Sequence, residues 1–226
     1  MEKIYKLVEH YFDMKITSEL AEETGWHIGD GSMNYYHGKG FYQLRGHIED
    51  DKDHYVIRVK PLFEKLYKVK INLREMLSTR VFGFQIWNNN LVKIKQELGL
   101  PLGKKFSIEI PSLFLQNNLL IKSVLRGIFD TDGGIYLEKK NNKLYPRLYI
   151  TTISERLANQ LITSFSLLGL RATQYSQLYN KIFNRQKSYI ITIRGPDMFK
   201  KFMKIISPRN PKHIKKYKLF LNSKNL

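Results

Sequence analysis

Apolar residues recur at two spacings along this chain, near 3.6 and near 2, and the two spacings succeed one another in the same order twice. The first round opens with a helical segment ending at Gly25-Trp26-His27-Ile28-Gly29-Asp30-Gly31. A Tyr-rich stretch to Gly40 and then Phe41–His47 alternate as a β-hairpin does. Asp50-Asp51 precedes a helical run through Val59, Leu62, Phe63 and Leu66, its acids placed where a first turn favours them. Strands at Lys70–Leu77 and Arg80–Trp87 follow, then a short helix over Asn90–Leu98 and a loop at Pro101.

The second round matches it piece by piece. A helix ends at Gly127-Ile128-Phe129-Asp130-Thr131-Asp132-Gly133, and Gly134–Lys140, a turn at Asn141-Asn142 and Tyr145–Thr152 make the hairpin. Ser154 caps a helix with Leu157, Leu161, Phe165 and Leu168 on one face, and Gly169 stops it. Strands Arg171–Tyr179 and Ser188–Arg194, a helix over Asp197–Ile206 and a loop from Pro208 to Pro211 complete the copy. The expected architecture is α+β: two αββαββα repeats related by a pseudo-twofold axis, residues 1–105 and 119–226, with a linker over 106–118 and a basic C-terminal tail.

The matched helix ends carry the candidate chemistry. Gly25 and Gly29 stand four residues apart, as do Gly127 and Thr131, so each helix has a narrow stripe that lets another backbone approach. A single helical Gly only costs about 1 kcal/mol against Ala. The same small pair in both copies, each followed by Asp-Gly, predicts a helix–helix seam. Side-by-side helices would bring Asp30 and Asp132 to one end, with Gly31 and Gly133 expected as left-handed caps just beyond. A helix C-terminus already carries about −0.5 charge. Two carboxylates about 5 Å apart would repel by roughly 3 kcal/mol at an effective dielectric near 20. A bridging divalent cation resolves this, and oxygen-only ligands select Mg²⁺ or a relative that keeps several waters.

Composition narrows the partner. Against 38 Lys and Arg stand 20 Asp and Glu, a formal charge of +18, which points to a polyanion. No apolar run approaches the roughly 20 residues of a membrane span, and the N-terminus lacks the layout of a secretory signal. The absence of Cys excludes thiolate zinc sites, disulfides and a cysteine nucleophile. The expectation is an intracellular protein, neither secreted nor membrane-bound. The basic run Lys212–Lys218 follows Pro208 and Pro211 and reads as a tail near phosphate rather than a membrane anchor.

Both helix-end segments resemble the LAGLIDADG motif of homing endonucleases. The second, Leu125-Arg126-Gly127-Ile128-Phe129-Asp130-Thr131-Asp132-Gly133, is the nearer match; the first, Glu23-Thr24-Gly25-Trp26-His27-Ile28-Gly29-Asp30-Gly31, has Ile28 where the motif usually has an acid. The resemblance extends from about Ser18 to Tyr217 and includes the αββαββα order. Two motifs in one chain imply the monomeric form, with no obligate protein partner. They imply a metal-dependent endonuclease acting in intron homing, which cuts both strands of a long asymmetric double-stranded DNA site and leaves 3′ overhangs. The resemblance makes Asp30 and Asp132 the catalytic metal ligands and adds the Gly29 and Thr131 carbonyls to the coordination. It also implies a lysine beside each acid, assigned to Lys104 and Lys212, with Lys105 and His213 as neighbours able to take those places. Mg²⁺ is the expected ion; Mn²⁺ is expected to substitute, and Ca²⁺ to bind without supporting cleavage.

The strands supply the DNA platform. Lys70, Asn72, Arg74, Met76, Ser78 and Arg80 alternate with Ile71, Leu73 and Leu77, giving one wet and one buried face. Arg147, Tyr149 and Thr151 alternate with Leu148 and Ile150. Arg171, Thr173, Tyr175, Gln177 and Tyr179 form another row, and Thr192 and Arg194 a further one. The hairpins contribute Asn34, Tyr36, Gln43 and Arg45 in the first copy and Tyr136, Glu138 and Lys140 in the second. Arg, Gln and Asn can read base edges in a major groove. The rival reading is the same fold binding nucleic acid without cutting it, as an intron maturase or regulator; the retention of both acids argues against it. Trp26 and His27 read as core.

Overall fold

In the computed structural model, residues 15–140, 143–177 and 187–223 are described. Helix α1 (Ser18–Asp30) starts where the Thr17 side chain accepts the Leu20 amide, and strand β1 (Gly31–Tyr36) follows it without a loop. Strand β2 (Lys39–His47) returns, after which helix α2 runs over Lys52–His54, widens to a π-turn at Tyr55–Val59 and continues over Lys60–Tyr67. Strands β3 (Arg74–Met76) and β4 (Val81–Trp87) and helix α3 (Asn89–Glu97) end the first repeat. The second has α4 (Asn118–Asp132), β5 (Gly133–Lys140), β6 (Lys143–Thr152), α5 (Glu155–Leu167), β7 (Thr173–Gln177), β8 (Ser188–Arg194) and α6 (Pro196–Ile205).

Each repeat forms a four-stranded antiparallel sheet, ordered β1-β2-β4-β3 and β5-β6-β8-β7. The helices cover one face of each sheet, with Tyr42, Leu44, Phe82 and Phe84 buried beneath the first and Leu148, Ile150, Ile191 and Ile193 beneath the second. Helices α1 and α4 pack on each other at the centre. No helix among the described residues is long and apolar enough to cross a membrane.

Two expectations about the strands are corrected. The strand expected over Lys70–Leu77 pairs only at Arg74–Met76, because the Ile71 amide donates to the Glu64 carboxylate (2.9 Å) instead of to a neighbouring strand. Leu77, expected inward, begins a 3-10 turn over Leu77–Thr79 and is 74% exposed. The basic C-terminal segment forms helix α7 (Pro211–Asn222), capped by the Asn210 side chain and seated by buried His213 and Phe220. Within the expected linker, residues 106–118, Ile108, Ile110, Leu113 and Phe114 are buried.

Candidate active site and nucleic-acid face

The crossing of α1 and α4 is a backbone-on-backbone contact. A methyl group on Gly25 would overlap the Val124 carbonyl oxygen and lie 2.8 Å from the Gly127 Cα, and one on Gly127 would overlap the Glu22 carbonyl oxygen. Any Cβ at Gly29 would overlap Thr131, whose hydroxyl turns back to donate to the Gly127 carbonyl (3.0 Å). The seam therefore ends with Asp30 and Asp132 beside one another. Gly31 and Gly133 are not left-handed caps: both are extended, at φ −79°, ψ 153° and φ −81°, ψ 152°. Glycine is required there because the chain doubles back so closely that a Cβ would lie 2.6 Å from His27 Cα or overlap the Phe129 ring.

These carboxyls are electrostatically uncomfortable. Burial pushes Asp30 well above the usual carboxylate range; the neighbouring charges of Asp132 and Asp51 push the same way, against a hydrogen bond from Tyr55 Oη (3.0 Å) and the charge of Lys212. Asp132 opens to solvent, yet the surrounding protein displaces enough water to push its carboxyl up to about 6, while Lys105 and Lys212 pull it down. Two such acids, with all-oxygen surroundings, fit a hard divalent cation completed by water or substrate oxygens. No group of three or more His, Cys, Asp or Glu able to hold a metal occurs among the described residues, so the protein alone would supply only part of the coordination.

The two loops beside the acids are built differently. In the first repeat, Lys105 Nζ donates to the carbonyls at the end of α1: Ile28 (2.8 Å), Gly29, and more distantly His27 (3.4 Å). An ammonium there meets the negative end of the helix. Lys104, expected in that place, is exposed, with Nζ 5.4 Å from the Phe106 ring centroid, because Gly103 (φ 68°) turns the loop and its amide donates to the Met33 carbonyl (2.8 Å).

In the second repeat, Lys212 Nζ donates to Asp51 (2.7 Å), with the Thr131 carbonyl at 3.4 Å. The Asp130 carboxylate accepts the amides of Arg209 (3.0 Å) and Asn210 (3.1 Å), and Asn210 Nδ2 bridges Asp51 (2.7 Å) to the Asp130 carbonyl (2.8 Å). Burial raises Asp130 to about 7, opposed by those amides. His213, its pKa lowered to about 3 chiefly by burial, is neutral and bonds the Phe129 carbonyl (2.9 Å) through Nε2. Both carbonyls expected as metal ligands thus face lysine ammonium groups.

Asp51 and Asn210 were missed as site residues. Asp51 read as an ordinary first-turn acid, but its side chain turns back to accept the His47 amide (2.8 Å) and to face the acids. A buried Glu22, joined to Arg58 (3.0 Å), Arg126 (3.3 Å) and Arg209 (2.7 Å), ties the repeats together beneath the site. Trp26 and His27 are buried as expected.

The sheet faces away from the helices carry most of the expected contact residues. On the first, Ser32, Gln43, Gln85 and Arg74 make a side-chain ladder across all four strands: Gln43 Nε2 donates to Ser32 Oγ (3.2 Å), Gln85 Nε2 to Gln43 Oε1 (3.3 Å), and Arg74 to Gln85 Oε1. Asn34, Tyr36 and Arg45 share that face by register. Lys70 and Asn72 are exposed but lie outside any strand; Ser78 sits in the 3-10 turn, and Arg80 pairs with Glu49 (3.3 Å) at the rim. On the second sheet Tyr136, Arg147, Tyr149, Thr151, Thr173, Tyr175 and Arg194 align, with Arg171 just before β7 and Gln177 at its end. Glu138 pairs with Lys140 (3.1 Å) and Arg147 (3.5 Å). Thr192 is a correction: it is 2% exposed, its hydroxyl 3.0 Å from that of Thr173 and covered by neighbouring strands. Tyr179 lies outside the described residues.

Residues 120–207 match the family model described as a LAGLIDADG-like domain. By that match the second repeat is a LAGLIDADG-like domain. The chain's fold is similar to that of the homing endonuclease I-DmoI in complex with DNA and Ca, at 18% identity and a TM-score of 0.60, over 88% of this chain and 96% of that one. I-LtrWI bound to target DNA aligns at 11% identity and a TM-score of 0.59, over 89% and 88% of the two chains. I-SmaMI bound to uncleavable DNA aligns at 11% identity and a TM-score of 0.56, over 91% of each. The match by family model falls on the repeat with the acid at Asp130, and the repeat with Ile28 shares the fold of these structures.

Proposed function

We propose that this protein is a site-specific endonuclease that binds double-stranded DNA across its two sheets and hydrolyses one phosphodiester on each strand with a divalent metal, Mg²⁺ by preference. The observation that carries the reading is the juxtaposition of Asp30 and Asp132 at a glycine-lined seam, both raised by burial. A protein that only bound nucleic acid would gain nothing from this repulsion. Proteins of similar fold have been seen with DNA and Ca, Mn or Mg.

Asp30 and Asp132 would hold the ion, Tyr55 orienting Asp30 through its hydroxyl. The bound cation would stabilise the negative charge that develops on the phosphate and promote ionisation of an attacking water. Lys105 and Lys212, one at each helix end, would offset that charge and polarise water, a role for which a preorganised donor is well suited. Arg74, Gln85, Gln43, Arg147 and Arg194 would contact base edges and phosphates from the sheets.

The test is cleavage of a randomised duplex pool in Mg²⁺ and in Ca²⁺, with the ends sequenced. Discrete double-strand breaks in Mg²⁺ at one set of related sequences are expected. Asp30→Asn and Asp132→Asn should bind the same sequences and leave them intact. Cutting by either variant at the wild-type rate would refute the assignment of the acids.

A further inference from the structure

The open face of the first sheet changes character with distance from the acids. Beyond the ladder from Ser32 to Arg74, the next cross-strand row is Asn34–Phe41–Trp87, paired in register, with Tyr36 beside it. The rings of Tyr36, Phe41 and Trp87 form a closed cluster, with centroids 5.9 Å (Tyr36–Phe41), 6.2 Å (Tyr36–Trp87) and 4.9 Å (Phe41–Trp87) apart. None belongs to the core: Trp87 is 59% exposed and Tyr36 49%. Single exposed aromatics are ordinary, but three in contact on the face proposed for DNA are not.

Register supplies an internal control. The positions equivalent to Asn34–Phe41–Trp87 in the second sheet are Tyr136–Arg147–Arg194, a row with two cations. One half of the platform therefore presents apolar rings where the other presents guanidinium groups. The aromatic row is also held rigidly. Asn89 Oδ1 accepts the Gly40 amide (2.6 Å), its Nδ2 donates to the Gly38 carbonyl (3.2 Å), and the Asn88 amide donates to the Gly40 carbonyl (2.7 Å). These bonds tie the His37-Gly38 turn to the end of β4, so little ordering remains to be done on binding.

We propose that Tyr36, Phe41 and Trp87 are a specificity contact for thymine C5-methyl groups in the major groove, confined to the half-site under the first sheet. The inference rests on the endonuclease reading above. The occupant follows from the surroundings: the cluster is continuous with a ladder able to read base edges, and exposed Lys39 and Arg74 flank it, which suits a polyanion. The apolar group that a major groove offers to such a surface is the thymine methyl. Strand geometry places the row about 13–20 Å from Asp30 at ~3.3 Å per residue. At ~3.4 Å per base pair that is about four to six base pairs from the catalytic centre.

Once a bound target has been selected from the randomised pool, each thymine in it is replaced singly by uracil, which lacks only the methyl. A loss of affinity of about fivefold is expected at a thymine four to six base pairs from the centre in the first repeat's half-site, and none at the mirrored position. Trp87→Ser should bind the uracil and thymine duplexes equally, while its binding to an unrelated duplex at low salt stays at the wild-type level. Trp26 is fully buried and Trp87 is the only other tryptophan, so emission should change on binding in wild type and not in Trp87→Ser. Uracil being neutral throughout that half-site, or its penalty persisting in Trp87→Ser, would overturn the inference while leaving the endonuclease reading intact. A concentration-dependent emission shift without DNA would overturn it in favour of a second copy of the chain. Failure to bind any duplex would instead sink the endonuclease reading, and this inference with it.

Discussion

The loops carrying Lys105 and Lys212 occupy the same place in the two repeats and are held by opposite means. The first has Ile28 at the motif's sixth position, buried in the core, and its lysine donates its hydrogen bonds to main-chain carbonyls. The second has Asp130 there, and a buried carboxylate gathers two loop amides while Asp51 of the other repeat holds the lysine. The repetition has kept topology, with one glycine seam joining the two central helices. It has not kept the chemistry of the supports, because any arrangement that fixes an ammonium at a helix end satisfies the electrostatics. The pseudo-twofold is thus a symmetry of backbone, and the two halves of the site are expected to respond differently to the same substitution.

The largest effect should come from the lysines themselves. Lys105→Met and Lys212→Met should each lower cleavage by about 10²–10³, the usual loss for a preorganised donor facing developing charge. Lys104→Met should stay within about threefold of wild type. Single-turnover cleavage of the selected target decides the matter, and a severe loss in Lys104→Met with an active Lys105→Met would reverse the assignment.

Making the second loop like the first is the next most disruptive change. Asp130→Ile would leave the Arg209 and Asn210 amides without their acceptor in a buried setting, at about 1–3 kcal/mol for each unsatisfied group. Urea unfolding should show a loss of about 2–4 kcal/mol. Ile28→Val, which asks nothing of the first loop's hydrogen bonds, should cost about 0.5–1.5 kcal/mol. Equal losses would mean that Asp130 is incidental to the loop.

Metal binding is expected to follow pH, because burial raises both acids and a cation must displace their protons. Protonation competes with the ion, so Ca²⁺ affinity should be highest above neutrality and fall as pH drops through about 6, the position of Asp132. The slope should approach about tenfold per unit for each proton displaced. Calorimetry from pH 7.5 to 5.5 in buffers of different ionisation heat gives affinity and proton release together. A flat profile would contradict the raised carboxyls, and Asp132→Asn should remove the fall near 6.

Much of this was legible in the sequence because it is periodic or local. The order of elements, the Ser154 cap, the left-handed stop at Gly169 and the alternation of Arg147, Tyr149 and Thr151 with Leu148 and Ile150 all depend on near neighbours. The glycine seam was legible because it recurs. What escaped depends on long-range closure. Lys105 and Lys104 are adjacent, and only the turn at Gly103 decides which one enters the site. Asp51 sits where helix acids are common, and no local signal separates it from Asp50. Its partner Asn210 lies 159 positions away. Thr192 alternates like a wet-face residue but lies in an inner strand under Thr173, where a small side chain is covered. A signal for Trp87 was present, since a strand ending in an aromatic on the polar phase is unusual, but a polar-row reading passes over it.

The mildest change tests the asymmetry most directly. Asp51→Asn keeps the oxygen that accepts from Asn210, gives up the one that accepts from the His47 amide, and removes the charge opposite Lys212. It also removes a negative charge that raises both Asp30 and Asp132. The two consequences oppose each other, and pH separates them. Near pH 6 the acids ionise more readily in the variant, which favours metal binding and masks the slackened lysine. At pH 8, well above the position of Asp132 near 6, that carboxyl is ionised in either protein, so the lysine's position is the main difference left. There the strand served by Lys212 should be cut about fivefold more slowly, the other strand at the wild-type rate, and nicked circles should accumulate from a supercoiled plasmid carrying the target. That factor corresponds to about 1 kcal/mol, the scale of a partly exposed ion pair. End-labelling each strand separately reads it out. Equal slowing of both strands would mean that Asp51 acts through the shared metal site, and the two halves would then be more alike than their loops suggest.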